Sequence, residues 1–164
     1  MRIKNLILTS ALLSLLGSFS FGAHAADNAI KVTSIAQVEV EVIDKQGNKT
    51  LKRAPVTKAV PGTEVIYTTT FENTINKSAE NIVINNPIPI ASEYKAGSAF
   101  GKDCEILFSV DGKKFGHAEE LKTRDAEGKE RTALPKEYTH IRWTYKVPLA
   151  AGKSSEVGFR AVIK

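Results

Sequence analysis

Residues 139–147 read Thr-His-Ile-Arg-Trp-Thr-Tyr-Lys-Val, and this stretch decides the fold class. Apolar and aromatic side chains alternate with polar ones along it, which is the period of two expected for a β-strand with one buried face. The side chains expected to face the core are Ile141, Trp143, Tyr145 and Val147. The residues between them, His140, Arg142, Thr144 and Lys146, are expected on the opposite face.

The same kind of pattern recurs before and after this stretch. Further strands are predicted over residues 35–42, 50–53, 64–71, 81–85, 104–110 and 156–163, with a brief extended piece over 94–98. Turn signals separate them, most clearly Asp111-Gly112, which predicts a hairpin whose return begins over 113–115. The only helical candidate, over 117–122, is too short to be stable alone.

Strands with one apolar face must bury those faces against one another, and two packed antiparallel sheets do so economically. The sequence therefore predicts an all-β fold, an immunoglobulin-like antiparallel β-sandwich of about seven strands. The residues expected inside it are Val38, Val40, Val42, Val65, Tyr67, Phe71, Ile106, Phe108, Ile141, Trp143, Tyr145 and Phe159.

Length and composition restrict the class of protein further. The chain has 164 residues, with Lys+Arg 23, Asp+Glu 18 and a single cysteine, which is enough for one domain. Charges of both signs are interspersed without basic runs or interleaved aromatic residues, so nucleic-acid binding is not indicated. One cysteine cannot close an intrachain bridge, although an oxidising compartment would allow an intermolecular disulfide through Cys104.

The amino terminus predicts export. Arg2 and Lys4 precede an apolar stretch over residues 6–21 and the small-x-small triplet 23–25, the pattern of a secretory signal peptide cleaved after Ala25. The apolar stretch is shorter than the ~20 residues of a membrane span, so no span is expected. We therefore expect a signal peptide over residues 1–25 and one domain over 26–164, in the periplasm or outside the cell. Removal of Arg2 and Lys4 would lower the formal net charge from +5 to +3.

An ordered series of short motifs extends from residue 60 to residue 164. The series consists of Pro61-Gly62-Thr63-Glu64-Val65-Ile66-Tyr67, Phe71-Glu72-Asn73, Ala79-Glu80-Asn81-Ile82, Pro87-Ile88-Pro89, Tyr94-Lys95-Ala96-Gly97-Ser98, Phe108-Ser109-Val110-Asp111-Gly112, Arg142-Trp143 and Leu149-Ala150-Ala151-Gly152. In this order it resembles the bacterial surface repeat domains classed as domains of unknown function, family eleven. The resemblance implies an immunoglobulin-like envelope module without a known catalytic site. The chain departs from that pattern because it carries one copy and inserts a polar stretch.

The polar insertion around residues 116–138 is the most individual part of the sequence. Long loops on a rigid sandwich are either functional or mobile, and both interpretations remain open: a contact surface for a partner, or a solvated hairpin. Asp125, Glu127 and Glu130 surround a glycine and could face a calcium ion. Their spacing is not that of a calcium-binding loop, which favours a solvated charged turn.

The residues that could support thiol or zinc chemistry are few. Cys104 has His117 and His140 elsewhere in the chain and Asp103 beside it, but neighbouring residues on a strand point to opposite faces. A catalytic thiol is therefore disfavoured. The same thiol and two imidazoles are too few and too far apart in sequence for a zinc site.

Other short motifs carry little weight. Ser92 and Lys95 have the Ser-x-x-Lys spacing of penicillin-interacting enzymes, but the companion motifs of those enzymes are missing, so the match is interpreted as chance. Asn48 and Asn76 begin glycosylation sequons, which matter only in a host that modifies them. No catalytic, cofactor-binding or metal-binding residue is predicted, and no cofactor is expected.

These observations favour a non-enzymatic exported module that acts as a structural, adhesive or partner-binding protein of the bacterial cell envelope. Its partner would be a protein or a glycan, recognised through loops or through an exposed sheet edge that accepts a partner strand. The sequence does not assign that edge. The alternatives are a small-ligand or calcium-binding periplasmic protein that uses the 115–138 loop and, with less support, a thiol enzyme.

Overall fold

The computed structural model describes residues 29–164, so the predicted signal peptide lies outside the described residues. The described part is built from strands and one short 3-10 helical turn at Pro135–Glu137. The strands are β1 (Ile30–Ile43), β2 (Lys49–Pro55), β3 (Glu64–Asn73), β4 (Val83–Pro87), β5 (Ser92–Tyr94), β6 (Phe100–Gly101), β7 (Cys104–Ser109), β8 (Lys122–Arg124), β9 (Glu130–Thr132), β10 (His140–Tyr145) and β11 (Ser154–Ile163).

This architecture confirms the predicted all-β fold, an antiparallel β-sandwich. The larger sheet has the strand order β2-β1-β3-β11-β5, with β6 also paired to β11, and the smaller sheet has the order β4-β10-β7. The hairpin β8–β9 stands apart from both sheets. The described residues thus contain more strands than the predicted seven, because β5, β6, β8 and β9 are two or three residues long and too short to show a period.

The core lies where the central strands of the two sheets face each other. Trp143 and Ile141 of β10 and Phe71 of β3 are completely buried, and the Trp143 ring lies 6.3 Å from the ring of Phe159 on β11. Of the residues expected inside, five are buried: Val65, Phe71, Ile141, Trp143 and Phe159. Four more are half-buried against the core: Tyr67, Ile106, Phe108 and Tyr145.

Three valines of β1 were expected inside the sandwich, and that expectation is wrong. Val40 is 41% exposed, and Val38 and Val42 are only half-buried. β1 pairs with β3 only as far as Gln37, and beyond that residue it pairs with β2 alone. Val147 is also 40% exposed, because β10 ends at Tyr145 before reaching it.

The buried amide of Asn73 fixes the end of β3. Its Nδ2 donates hydrogen bonds to the backbone oxygens of Lys77 at 2.8 Å and Leu149 at 2.7 Å. Its Oδ1 accepts a bond from the Ile75 backbone N–H at 3.1 Å. One side chain therefore joins β3 to the loop that follows it and to the segment between β10 and β11.

The polar insertion forms a hairpin that is anchored to the sandwich. Leu121 and Ala133 at its base are buried, and the Ala133 N–H donates to the Leu121 oxygen at 2.8 Å. The 117–122 segment forms only a turn, in which the Glu120 N–H donates to the His117 oxygen. The turn does not continue as the helix considered for this segment. The return strand predicted over 113–115 is reduced to a single bridge between Phe108 and Gly116.

Candidate functional site

The β1–β2 hairpin extends past the sandwich at the end that contains its turn. We call this part, residues 38–54, the hairpin extension. In it β1 continues beyond its last pairing with β3, which is Gln37 with Ile66, and pairs only with β2. Ala36 lies opposite Tyr67 on the face that the larger sheet turns toward the core. Because side chains alternate along a strand, the even-numbered residues of β1 continue that same face outward.

The continued face is apolar and uncovered. Val38, Val40 and Val42 lie on it, and across the strand pair they oppose Ala54, Lys52 and Thr50 respectively. The opposite face also exposes two large aliphatic side chains, Ile43 at 63% and Leu51 at 67%. Within residues 29–164, no second layer packs against this part of the sheet.

The smaller sheet is too narrow to reach the hairpin extension. Its edge strand β4 reaches the larger sheet at β3, where Asn86 Nδ2 donates to Thr69 Oγ1 at 2.7 Å. On the other side the Thr69 hydroxyl meets the Ser34 hydroxyl at 2.9 Å. A cleft of about 260 Å³ separates β1 from β4 at this point, with Ser34 and Asn86 in its wall.

β2 is the outermost strand of the larger sheet, and its outer edge is positively charged. It contains Lys49, Lys52 and Arg53 and no acidic residue. Lys49 is paired with Glu41 across the hairpin at 2.9 Å, and Lys52 has no ion-pair partner within the described part of the chain. Arg53 lies opposite Glu39 and adds to the effect of Arg160 in lowering the pKa of that carboxylate. An edge strand presents unpaired backbone N–H and C=O groups, so β2 offers main-chain hydrogen bonds beside cationic side chains.

A cluster of charged side chains holds the base of the hairpin extension against the sheet. The Arg160 guanidinium on β11 donates two hydrogen bonds to the Glu39 carboxylate, at 3.0 and 2.8 Å, and one to Glu64 at 2.8 Å. Lys95 Nζ contacts the other oxygen of Glu64 at 2.6 Å. The hydrogen bond from Arg160 lowers the pKa of Glu39, so the bridge stays ionised at neutral pH. Bidentate pairing of this kind fixes geometry as well as charge.

A second concave feature lies between the sandwich and the insertion, and we call it the aromatic cavity. It has a volume of about 400 Å³ and is lined by Tyr94, Ala96, Gly97, Ala99, Ile106, Phe108, Ala118, Pro135 and Tyr138. The ring centroids of Tyr94 and Phe108 are 5.4 Å apart, and those of Phe108 and Tyr138 are 4.9 Å apart. Strand β5, strand β7 and the insertion each contribute one wall.

The aromatic cavity contains no charged side chain in its lining. The Tyr94 hydroxyl accepts a hydrogen bond from the Ala99 N–H at 3.1 Å, and among residues 29–164 its own proton has no acceptor. The Tyr138 hydroxyl has no hydrogen-bond partner among residues 29–164. Burial raises the pKa of Tyr138, so the phenol stays protonated and can donate.

Cys104 is a free, half-buried thiol at the start of β7. Its Sγ donates to the Lys102 oxygen at 3.4 Å, and burial, with a smaller effect of the Asp103 carboxylate, raises the pKa of the thiol. On β10, Tyr145 lies opposite Cys104 and His140 lies opposite Ser109. Five residues of strand, ~17 Å, therefore separate Cys104 from the position of His140. The structure does not bring this thiol and this imidazole together.

The other histidine and the proposed calcium ligands are likewise dispersed. His117 is exposed in the connection after β7. Asp125 Oδ1 already accepts backbone hydrogen bonds within its own turn, from Glu127 at 3.0 Å and Lys129 at 2.9 Å. Within residues 29–164, no group of three or more His, Cys, Asp or Glu side chains could hold a metal ion.

The Ser-x-x-Lys match has no geometry in common with a catalytic pair. The Ser92 hydroxyl donates to the Pro89 oxygen at 2.8 Å, and Lys95 is engaged with Glu64. The two sequons lie at surface positions, Asn48 in the β1–β2 turn and Asn76 in the loop after β3. Asn48 donates from its side chain to Asp44 at 2.9 Å, so its amide contributes to the turn.

The sequence predicts the strands, but it predicts neither the aromatic cavity nor the uncovered face of the hairpin extension. The three rings of the aromatic cavity belong to segments more than ten residues apart, and no local pattern predicts that they meet. The sequence of the hairpin extension carries a usable signal, since its valines alternate with polar residues and Gln46-Gly47-Asn48 is a turn sequence. The sequence does not reveal where the pairing of β1 with β3 stops, which is at Gln37 and Ile66, near the start of β3.

Taken together, these features define an antiparallel β-sandwich with an uncovered hairpin and an apolar cavity. No protein-family model, no curated protein and no solved structure matches the chain. The resemblance to the surface repeat domains therefore stays a prediction. None of the described residues belongs to a helix long and apolar enough to cross a membrane.

Proposed function

We propose that the protein is a non-enzymatic, exported β-sandwich module of the bacterial cell envelope that binds a protein partner through the hairpin extension. The observation that carries the proposal is an apolar strand face, uncovered within residues 29–164, that adjoins a free strand edge. Export rests on the amino-terminal sequence pattern alone. An exposed apolar surface of this kind is typical of interaction sites.

The free edge favours a protein over a glycan as the partner. The outward backbone groups of β2 can pair with the backbone of an added strand, and a polysaccharide has no equivalent ladder of alternating donors and acceptors. Specificity would then come from side chains of the added strand that pack against Ala54, Lys52 and Thr50 of β2, which lie on the same face as the valines of β1. This arrangement is the β-strand addition expected from the sequence, with β2 as the edge.

The charge of the edge favours an acidic partner strand. If the β2 edges of two copies paired, the basic residues of one strand would lie opposite those of the other, namely Lys49, Lys52 and Arg53. Like charges placed opposite each other are destabilising. Carboxylates on an added strand would instead meet Lys52, which lacks an ion-pair partner in the described part of the chain, and Arg53, whose cross-strand neighbour Glu39 is already paired with Arg160. Such charges guide encounter and discriminate between partners more than they add affinity.

Site-specific photocrosslinking tests the proposal in the cells that produce the protein. A photoreactive phenylalanine analogue replaces Val40 on the hairpin extension, and in a matched control it replaces Val83, which is similarly exposed at 46% on β4. We expect a discrete protein adduct from position 40 and none from position 83. Reversing the edge charges with Lys52→Glu and Arg53→Glu should abolish the adduct, while both proteins remain folded by circular dichroism.

The identity of the adduct decides between the remaining occupants. An adduct containing an acidic extended segment of another protein supports the proposal. A dimer of the protein itself, a glycan adduct, or equal labelling at positions 40 and 83 would each contradict it. An adduct that survives the charge reversal would contradict the acidic character of the partner.

A further inference from the structure

We infer that the aromatic cavity is a binding site for a small neutral aromatic molecule of about two rings that carries a hydrogen-bond acceptor. This site is separate from the hairpin extension and does not depend on the function proposed for it. The inference rests on the size of the cavity, the chemistry of its walls and two hydroxyl groups that can donate within it. Each of these points restricts the ligand in a different way.

Size sets the lower bound on the ligand. The cavity holds about 400 Å³, well above the roughly 150 Å³ of a cavity that accommodates benzene and within the usual range for small-molecule pockets. A single ring would leave much of the wall without contacts. Two fused or linked rings match the space between the wall from β5, the wall from β7 and the insertion.

The walls favour flat, apolar groups. Tyr94, Phe108 and Tyr138 form a cluster in which each ring lies within 5.9 Å of the other two, measured between centroids. Offset and edge-on contacts between aromatic rings are favourable at these separations. Small residues, Ala96, Gly97, Ala99 and Ala118, complete the lining, and Tyr94 and Tyr138 contribute to it although each is only 6% exposed.

The absence of charge in the lining disfavours an ionised ligand. A carboxylate or an ammonium group placed there would lose part of its hydration without gaining a partner of opposite charge, which is unfavourable. The polar side-chain groups in the lining are the two tyrosine hydroxyls, and both can donate a proton. The preferred ligand is therefore neutral and has a carbonyl or ether oxygen that accepts a hydrogen bond.

The anchored insertion forms one wall of the cavity. Ala118, Pro135 and Tyr138 belong to the insertion, whereas Tyr94 and Phe108 belong to the sandwich. The Arg131–Glu137 ion pair, at 2.6 Å, stands next to this wall and braces the 3-10 turn that carries Pro135. The insertion thus serves as one side of a preformed site, which reduces the ordering needed on binding.

Fluorescence titration with the neutral probe N-phenyl-1-naphthylamine tests the site directly. We expect saturable binding, followed by competition from 2-acetylnaphthalene, which is neutral and has a carbonyl acceptor. The anionic analogue 2-naphthoate should bind at least about tenfold more weakly, since one factor of ten reflects only a modest penalty for a buried charge. Absence of probe binding up to about 1 mM, or equal affinity for the two naphthalene derivatives, would overturn the inference.

Two substitutions locate the binding. Ala118→Phe places a ring inside the cavity and should weaken probe binding at least about tenfold, whereas Ala126→Phe, at the exposed tip of the same insertion, should leave it within about twofold. Equal binding by both variants would place the probe elsewhere, for example on the valine face of the hairpin extension, and would overturn the inference. Val40→Thr should leave probe binding unchanged if the cavity is the site.

A conservative variant keeps the test valid if Ala118→Phe disturbs folding. Tyr138→Phe retains the ring and removes the hydroxyl, so the affinity for 2-acetylnaphthalene should fall about 2- to 10-fold, the effect of one neutral hydrogen bond. Tyr145→Phe, outside the cavity lining, is the matched control and should change nothing. An unchanged affinity in Tyr138→Phe would remove the hydroxyl from the proposed recognition.

Discussion

The sandwich core and the hairpin extension are built from the same kind of alternating sequence, but the apolar face is covered in the core and uncovered in the hairpin extension. Trp143 and Ile141 on β10 are completely buried and Tyr145 is half-buried, whereas Val40 and its alternating neighbours on β1 are at least partly exposed. Both stretches have the period of a half-buried strand. The difference teaches that an apolar stripe specifies a strand and a face but not the layer that covers the face. That layer is determined by pairing between distant strands.

The largest contrast between the two regions is expected from core deletions. Trp143→Ala should lower the free energy of unfolding by about 3–5 kcal/mol, because it removes a fully buried ring from a close-packed site. Val40→Ala removes a partly exposed side chain and should lower it by less than about 0.5 kcal/mol. Urea denaturation of both variants checks the comparison. Equal losses would mean that the valine face is packed in the folded protein.

How far the sequence could predict the fold follows from the same contrast. The strands with clear alternation were located correctly, including residues 139–147, where β10 occupies His140–Tyr145. The valines of β1 were assigned to the core because alternation gives a face but no register. Only the pairing of Gln37 with Ile66, which ends the contact between β1 and β3, shows that the strand continues past the sandwich.

The candidate site was less predictable than the fold. The aromatic cavity needs Tyr94, Phe108 and Tyr138 to converge from three segments, and convergence over such separations depends on topology. The β8–β9 hairpin was open as one of two interpretations of the polar insertion. Its anchoring by Leu121 and Ala133 was not foreseen, because two isolated apolar residues in a charged stretch give no period.

Removing the buried amide of Asn73 should lower the free energy of unfolding much more than removing an exposed amide of the hairpin extension. This difference should be almost as large as the one expected between Trp143→Ala and Val40→Ala. Asn73→Ala abolishes three hydrogen bonds at the end of β3 and should lower the free energy of unfolding by about 2–3 kcal/mol, at ~1 kcal/mol for each bond. Asn48→Ala, in the turn of the hairpin extension, removes one exposed side-chain contact and should lower it by about 0.5 kcal/mol. Thermal or urea unfolding measures both, and a larger effect at Asn48 would contradict the comparison.

A smaller and more local effect is expected where the two regions are joined. Arg160→Met removes the bridge from β11 to Glu39 and should increase the motion of residues 38–54 on the nanosecond timescale, seen as lower backbone order parameters. Global stability should change by less than about 1 kcal/mol, because the ion pair is partly exposed. Lys146→Met removes an ion pair to Glu105 within the sandwich and serves as the control. Unchanged order parameters in Arg160→Met would show that strand pairing alone holds the hairpin extension.

The smallest expected effect is the pH-dependent contribution of Glu137 to stability. Glu137 belongs to the insertion, which is anchored to the sandwich by buried residues, whereas the hairpin extension is not. Hydrogen bonds from Arg131 and from the Leu134 N–H lower the pKa of Glu137 to about 2, from an ordinary value of 4.5. The folded state therefore binds fewer protons than the unfolded state between these values, so the contribution of Glu137 is complete above pH 4.5 and is lost as the pH falls toward 2. The Tm difference between the wild type and Glu137→Gln should accordingly shrink as the pH falls through this range and vanish below about pH 2. Arg131→Gln removes the other partner and should show the same pH dependence, whereas a Tm difference that stays constant from pH 4.5 to below about pH 2 would mean that Glu137 stabilises the insertion by packing and not by its charge.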